Sequence, residues 1–186
     1  KDGRLLWHYL QPGYRVAVIP TPIFHDDYVY TTAGYGAGCD LLHLVPEGDG
    51  TKAERVWANK EMDNKHGGVV LLGDHIYGFD EQMLVCLDWR TGKTVWKHRG
   101  YAKGSLIALE DYLAVLGEKG VVALLKATPE APTELTRSEP FGQAGPRNGR
   151  CWTAPVAARG LLLVRDESRL LALKHEASTG PRGAER

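Results

Sequence analysis

Few residues of this 186-residue chain stand in patterns that chemistry could use. The segment MDNKHGG, residues 62–68, groups Asp63, Asn64 and His66. An acid, an amide and an imidazole this close could ligate a cation. A polar loop leading into a strand has the same composition. The glycine-rich segment GYGAG, residues 34–38, lies between strand-like runs. A phosphate cradle needs a helix N-terminus facing the anion, so a flexible hairpin is expected here instead. Ser105 and Ser168 lack a neighbouring base that would activate a nucleophile. No H-x-H or H-x-x-x-H pair suggests zinc, and Cys39, Cys86 and Cys151 show neither zinc nor haem spacing. Three cysteines allow one disulfide with a thiol left over, but buried free thiols are the plainer expectation. No catalytic, cofactor-binding or metal residue is therefore assigned. What remains is a binding surface. His66, Lys103 and Arg150 could donate to an acidic group, and Trp152 offers a stacking plane, with Arg147 and Asn148 adjoining. A solvated loop rim with a packed tryptophan is the alternative.

Charge narrows the partners. Lys and Arg balance Asp and Glu at 23 each. A neutral chain lacks the positive field of a nucleic-acid binder or an anionic-membrane binder. The longest apolar runs, VVLL at 69–72 and LLLV at 161–164, have strand length and fall far short of a membrane span. The chain opens inside a turn motif without an initiator Met, which reads as a piece of a longer protein.

The elements that must position the candidate residues recur. Asp27, Asp74, Asp111 and Gly160 each precede an apolar strand, at steps of 47, 37 and 49 residues. A third strand follows each time: LLHLV at 41–45, LVCLD at 84–88, VVALL at 121–125 and LLALK at 170–174. A fourth follows in ERVW at 54–57, KTVW at 93–96 and TELTR at 133–137. Four short strands repeating at this length are the blade of a β-propeller. The expected fold is all-β, about four blades at residues 16–61, 66–100, 103–142 and 150–176, forming an open segment of a seven- or eight-bladed ring. A β-sandwich would not explain the repeat length. Residues 1–10 read as the outer strand of a preceding or closing blade, and 177–186 as a flexible tail. At the first-strand starts, Thr21, Gly68, Ser105 and Ala154 are equivalent, preceded by Pro20, Gly67, Gly104 and Thr153. Small residues suit crowding at a propeller axis, or they merely loosen the turns. The same alignment puts Ile19, His66, Lys103 and Trp152 at one level.

The segment CLDWRTGKTVW, residues 86–96, is the best-kept hairpin between third and fourth strands. Asp88 can accept from turn amides, Gly92 supplies a positive φ, and Lys93 charges the outer edge. Trp96 has one N–H and a broad face that can lie across to the next blade. Full packing there would make Trp96→Ala cost about 3–5 kcal/mol. This segment closely resembles the repeat of the pyrroloquinoline-quinone (PQQ) type β-propellers, with their tryptophan-docking pattern Ala-x-Asp-x-x-Thr-Gly-Lys-x-x-Trp. Asp88, Thr91, Gly92 and Trp96 match it, and Cys86 replaces the alanine. KDGRLLW matches its second half, ending on Trp7, and the unit at 43–57 keeps Trp57 with an inserted turn. Trp7, Trp57 and Trp96 are thus expected at equivalent outer-strand positions. The unit at 103–142 has lost turn and tryptophan.

The resemblance implies two functional classes. One is a non-catalytic binding or scaffolding module for protein partners, as in a lipoprotein of the bacterial outer-membrane barrel-assembly machinery. It carries no cofactor and works in the periplasm or another exported location. The other is a fragment of a quinoprotein alcohol or sugar dehydrogenase, needing PQQ and calcium on the propeller axis. No Cys-Cys pair of the kind found in many such enzymes is present. Partners are a protein, the remaining blades of the same propeller, or a second copy if the ring is open.

Overall fold

The computed structural model describes residues 2–11, 13, 15–142, 145–146 and 150–174. The strands form four antiparallel meanders. Sheet A contains β1 (Ile23–His25), β2 (Tyr28–Ala33), β3 (Gly38–Glu47) and β4 (Gly50–Asn59). Sheet B contains β5 (Val70–Leu72), β6 (His75–Asp80), β7 (Met83–Asp88) and β8 (Thr94–Arg99). Sheet C contains β9 (Gly104–Leu109), β10 (Tyr112–Gly117), β11 (Val122–Lys126) and β12 (Thr133–Ser138). Sheet D contains β13 (Val156–Ala158), β14 (Leu161–Arg165) and β15 (Leu170–Lys174). Each sheet is a blade of a partial β-propeller. Short runs of β-branched and aromatic residues, broken by turn residues, make these strands. Two-residue turns join the first and second strands, and Asp26, Asp27, Glu110 and Arg159 take positive φ there beside Gly73 and Gly160.

Apolar faces bury one blade against the next. Tyr30, Leu41, Ile76, Val85 and Leu87 join sheets A and B. Tyr77, Leu84, Leu106, Leu113 and Leu125 join B and C. Leu116, Val122, Phe141, Cys151 and Val164 join C and D. All three cysteines are free and buried, and burial pushes each thiol pKa up to about 11.

The tryptophan positions are set by a repeated irregularity. The register of the third and fourth strands shifts after Leu41↔Trp57 in sheet A and after Cys86↔Trp96 in sheet B. Val56 and Val95 are the extra residues, both exposed. This bulge twists the outer strand and aims the following indole at the next blade. Trp57 Nε1–H donates to the Trp89 carbonyl at 3.0 Å, and Trp96 Nε1–H to the Thr128 carbonyl at 3.0 Å. Each indole leans on a second-strand tyrosine of its own blade. Tyr30–Trp57 and Tyr77–Trp96 both have centroids 5.9 Å apart, tilted by 51° and 50°.

The Asp-x-x-Thr-Gly turn proves to be the receiving surface as well as a hairpin. Asp88 Oδ1 accepts from the Thr91 amide at 2.8 Å and the Thr91 hydroxyl at 2.6 Å. Those bonds, led by the hydroxyl, hold the Asp88 carboxyl below its ordinary value. Gly92 has φ +68°, and a Cβ there would stand 2.6 Å from the Trp57 ring. The glycine therefore serves the turn and the indole of the previous blade together.

The small residues at the first-strand starts crowd the axis. A Cβ on Gly67 would run into the Gly104 carbonyl, and one on Gly68 would lie 2.6 Å from the Leu106 carbonyl. Ser105 Oγ donates to the Thr153 carbonyl at 3.3 Å. For Gly67, Gly68 and Gly104, looser turns do not account for the choice of glycine.

Two expectations need correction. Residues 4–10 form no strand and do not complete sheet D, which shows three strands among the described residues. The segment lies on sheet A instead, against the β4 edge, which it meets without forming a ladder. The Leu6 carbonyl accepts from the Thr51 amide at 3.3 Å, Arg4 donates to the Asp49 carbonyl at 2.7 Å, and the Tyr9 hydroxyl to Asp40 at 2.6 Å. Trp7 is half-buried and shares no strand position with Trp57 and Trp96. The expected tail, 177–186, lies outside the described residues. The second correction concerns Trp96, which is half-buried and not enclosed. Trp96→Ala should therefore cost about 2–3 kcal/mol, below the range for a fully enclosed tryptophan. Urea unfolding should show that loss, with Trp96→Phe recovering part of it; no loss would mean that the indole does not bind the blades together.

Candidate partner-binding rim

The first strands and the hairpins between second and third strands begin at the same end of the blades. The tryptophan-receiving turns lie at the other end. Residues 60–68 cross from β4 to β5 at the first end and tie blade A to blade B. Thr32 Oγ1 donates to the Met62 carbonyl at 2.9 Å. The GYGAG hairpin is tethered rather than loose, because the Gly36 amide donates to Asp63 Oδ2 at 2.6 Å and Lys60 to the Ala37 carbonyl at 2.7 Å. Lys65 sits 5.0 Å from the Tyr35 ring centroid.

The four rim residues named from sequence come together from three blades. The His66 and Trp152 rings are 5.5 Å apart. The Arg150 guanidinium lies 4.6 Å over the Trp152 ring. Trp152 Nε1–H donates to Glu118 Oε2 at 3.3 Å, and the Glu118 amide donates to the Lys103 carbonyl at 2.7 Å. Lys103 and His66 share a small, partly open crevice of about 10 Å³ with Lys65, Phe79, Glu81 and Gly104. Trp152 remains 49% exposed, so about half of it stays open to solvent beside the parts covered by Arg150 and His66.

Sequence reading missed Glu81, which organises this cluster. Its carboxylate bridges Lys65 at 2.7 Å and Lys103 at 3.3 Å. Burial alone would raise its pKa, but hydrogen bonds from Lys65 and Lys103 outweigh burial and hold it below the ordinary value. Lys65 and Glu118 were missed too. Each is a charged residue near a turn, and nothing in one dimension marks which turn acids face the axis. Arg147 and Asn148 lie outside the described residues.

Asp63, Asn64 and His66 all lie in the crossing from β4 to β5. The Gly36 amide donates to Asp63 Oδ2, and the Asp63 amide and carbonyl bond Asp80 and Glu81, while Asp63 Oδ1 is buried without a hydrogen-bond partner. Asn64 is fully buried, and its side-chain atoms have no partner, like His66 Nε2. Among the described residues no three of His, Cys, Asp and Glu gather as a metal centre would require. The 10 Å³ crevice admits one water and not a tricyclic quinone.

Tryptophan-docked blades with this turn chemistry define the PQQ-like repeat propellers as the class. Residues 1–98 match the family described as Outer membrane protein assembly factor BamB. The chain belongs to that family. It is also similar to a quinohemoprotein alcohol dehydrogenase, ADH IIB, of Pseudomonas putida, at 32% identity over 88 residues, or 42% of this chain and 12% of the enzyme. Among solved structures, BamB from Moraxella catarrhalis superposes over 86% of this chain and 46% of its own, with TM-score 0.57 and 18% identity. The computationally designed Ika4 protein superposes over 92% of this chain and 98% of its own, with TM-score 0.63 and 10% identity. These likenesses in structure show the fold alone. The chain spans less than half of the natural relatives it matches. Among the described residues no helix is long and apolar enough to cross a membrane.

Burial, aided by Lys103 and Lys65 and opposed by Glu118, lowers the His66 pKa below its ordinary 6.5. The unfolded chain binds this proton more readily. The stability that neutral His66 supplies is therefore complete above about pH 6.5 and is lost as pH falls from there through the folded pKa. Urea melts between pH 7 and 5 should show this fall, and His66→Gln should flatten it. An unchanged slope would place the imidazole in solvent.

Proposed function

We propose that this chain is part of a non-catalytic propeller that binds or scaffolds a protein partner through the rim around Trp152. The observation that supports this most is the half-exposed indole, stacked under Arg150 and braced by His66 and Glu118. Tryptophan and arginine, with tyrosine, are the residues enriched at the hot spots of protein interfaces. Lys103 and the Glu81 bridge form a polar border on the blade B and C side. Family membership favours a bacterial protein exported to the periplasm. No cofactor takes part in this function. The likeness to the alcohol dehydrogenase favours a second reading, a fragment of a PQQ- and calcium-dependent enzyme.

The test uses the full-length parent protein. Photo-crosslinking from position 152 in cells should trap a discrete envelope protein. Trp152→Ala and Arg150→Ala should each weaken binding of that purified protein at least about tenfold without lowering the melting temperature. Unchanged affinity in both variants would refute the rim as the docking site. Dye-linked alcohol oxidation on adding PQQ and calcium would transfer the case to the enzyme reading.

A further inference from the structure

Sheets C and D keep the cross-strand register of the other blades, and the rings of the repeated pair are missing between them. In sheet A, Tyr30, Leu41 and Trp57 lie in one cross-strand row, and in sheet B so do Tyr77, Cys86 and Trp96. Sheet C has the same bulge, after Leu124↔Thr136, with Leu135 as the extra residue. Its row is therefore Ala114, Leu124 and Thr136. Alanine stands for the tyrosine and threonine for the tryptophan. Both rings of the repeated pair are gone together.

The opposite wall has not changed to match. The residues facing the rings in the other interfaces are Ile76 and Leu87 in sheet B and Leu113 and Leu125 in sheet C, all at most 1% exposed. Their equivalents in sheet D, Leu162 and Leu173, are still leucines in register with each other. They are only half-buried, and so is Leu124, whereas Leu41 and Cys86 are buried. Between the walls lies a cleft of about 310 Å³, lined by Leu109, Ala114, Leu124, Thr136, Leu162 and Leu173. It continues past Leu109 into a second opening of about 450 Å³ beside Ala157 and Ala158.

We propose that this cleft is a binding site for a flat aromatic small molecule of about the size of indole. The repeat itself defines the occupant. An interface whose two walls are spaced by aromatic rings in the preceding blades presents one apolar wall intact and the rings deleted. Apolar cavities left by ring deletion take up aromatic molecules, because the lining regains dispersion contacts and gives up no hydrogen bonds. The volume falls at the lower end of the small-ligand range. Thr136 and Ser138 supply hydroxyls at the outer side, where an indole N–H or a phenol would meet them. The site is separate from the Trp152 rim, so the two can fail independently.

Indole is the probe. Titration calorimetry should show saturable one-site binding to the wild-type protein, and tenfold excess over Kd should raise the melting temperature by about 3 °C. The double variant Ala114→Tyr/Thr136→Trp restores the missing pair. It should melt higher than wild type without ligand and should lose the indole response. If that variant does not fold, Thr136→Phe serves as the blocking arm. Trp96→Gly makes the converse test, opening an equivalent gap between sheets B and C and adding a second indole site. No saturable binding to wild type overturns the proposal. So does binding that survives undiminished in the blocked variants, since it would lie elsewhere. A stabilised double variant with an indole-blind wild type would leave a packing defect and no ligand site.

Discussion

One bond recurs between consecutive blades, the indole N–H of one on a backbone carbonyl of the next. A propeller blade is a wedge. Its inner strands are held by crowding at the axis, but its outer strands splay apart, and something broad must fill the widening gap. Trp57 and Trp96 fill it, each propped by a tyrosine from its own second strand. The bond matters less for its own energy, about 1 kcal/mol, than for its direction. It fixes where a large apolar surface comes to rest. The bulge in the outer strand, the positive φ of Gly92 and the Asp88–Thr91 hydrogen bonds all serve that placement.

The axis solves the opposite problem with the opposite residues. There the blades approach so closely that Gly67, Gly68 and Gly104 leave no room for a Cβ. The chain can then place its larger polar groups only just beyond the glycines, at the rim. His66 and Lys103 stand one residue before these tight positions, and Trp152 one residue before Thr153, which takes the equivalent place in blade D. Binding groups from three blades converge because the backbones beneath them do. Glu81 ties the two lysines into one charged bridge, which leaves Trp152 as the prominent apolar surface of the rim.

The strand meander was readable because alternating apolar runs and Asp or Gly turns recur with the blade, and because local hydrogen bonding determines both. The role of Gly92 was half readable. Its turn conformation followed from its neighbours, whereas its contact with Trp57 depends on a residue 35 positions away. Residues 4–10 carry the outer-strand pattern but form no strand, because a strand needs a run of backbone bonds to its neighbour and not the isolated Thr51–Leu6 bond found at the β4 edge. Among rim residues, the innermost level located His66, Lys103 and Trp152. Glu81 and Glu118 could not be found that way, since acids in turns are common and only their orientation distinguishes them.

The sequence by itself determined the class of fold, the repeat length, the docking motif and the small residues of the axis. Each is a matter of local backbone preference or of side-chain size at a fixed spacing. Only the tertiary structure decided which surfaces those patterns left filled and which they left open. Ala114 and Thr136 are unremarkable residues in separate strands. Their meaning as the two halves of one vacated aromatic pair appears when the cross-strand register sets them side by side against Leu162 and Leu173. Packing depends on volumes meeting in space, and Ala114 and Leu173 meet here although 59 residues separate them.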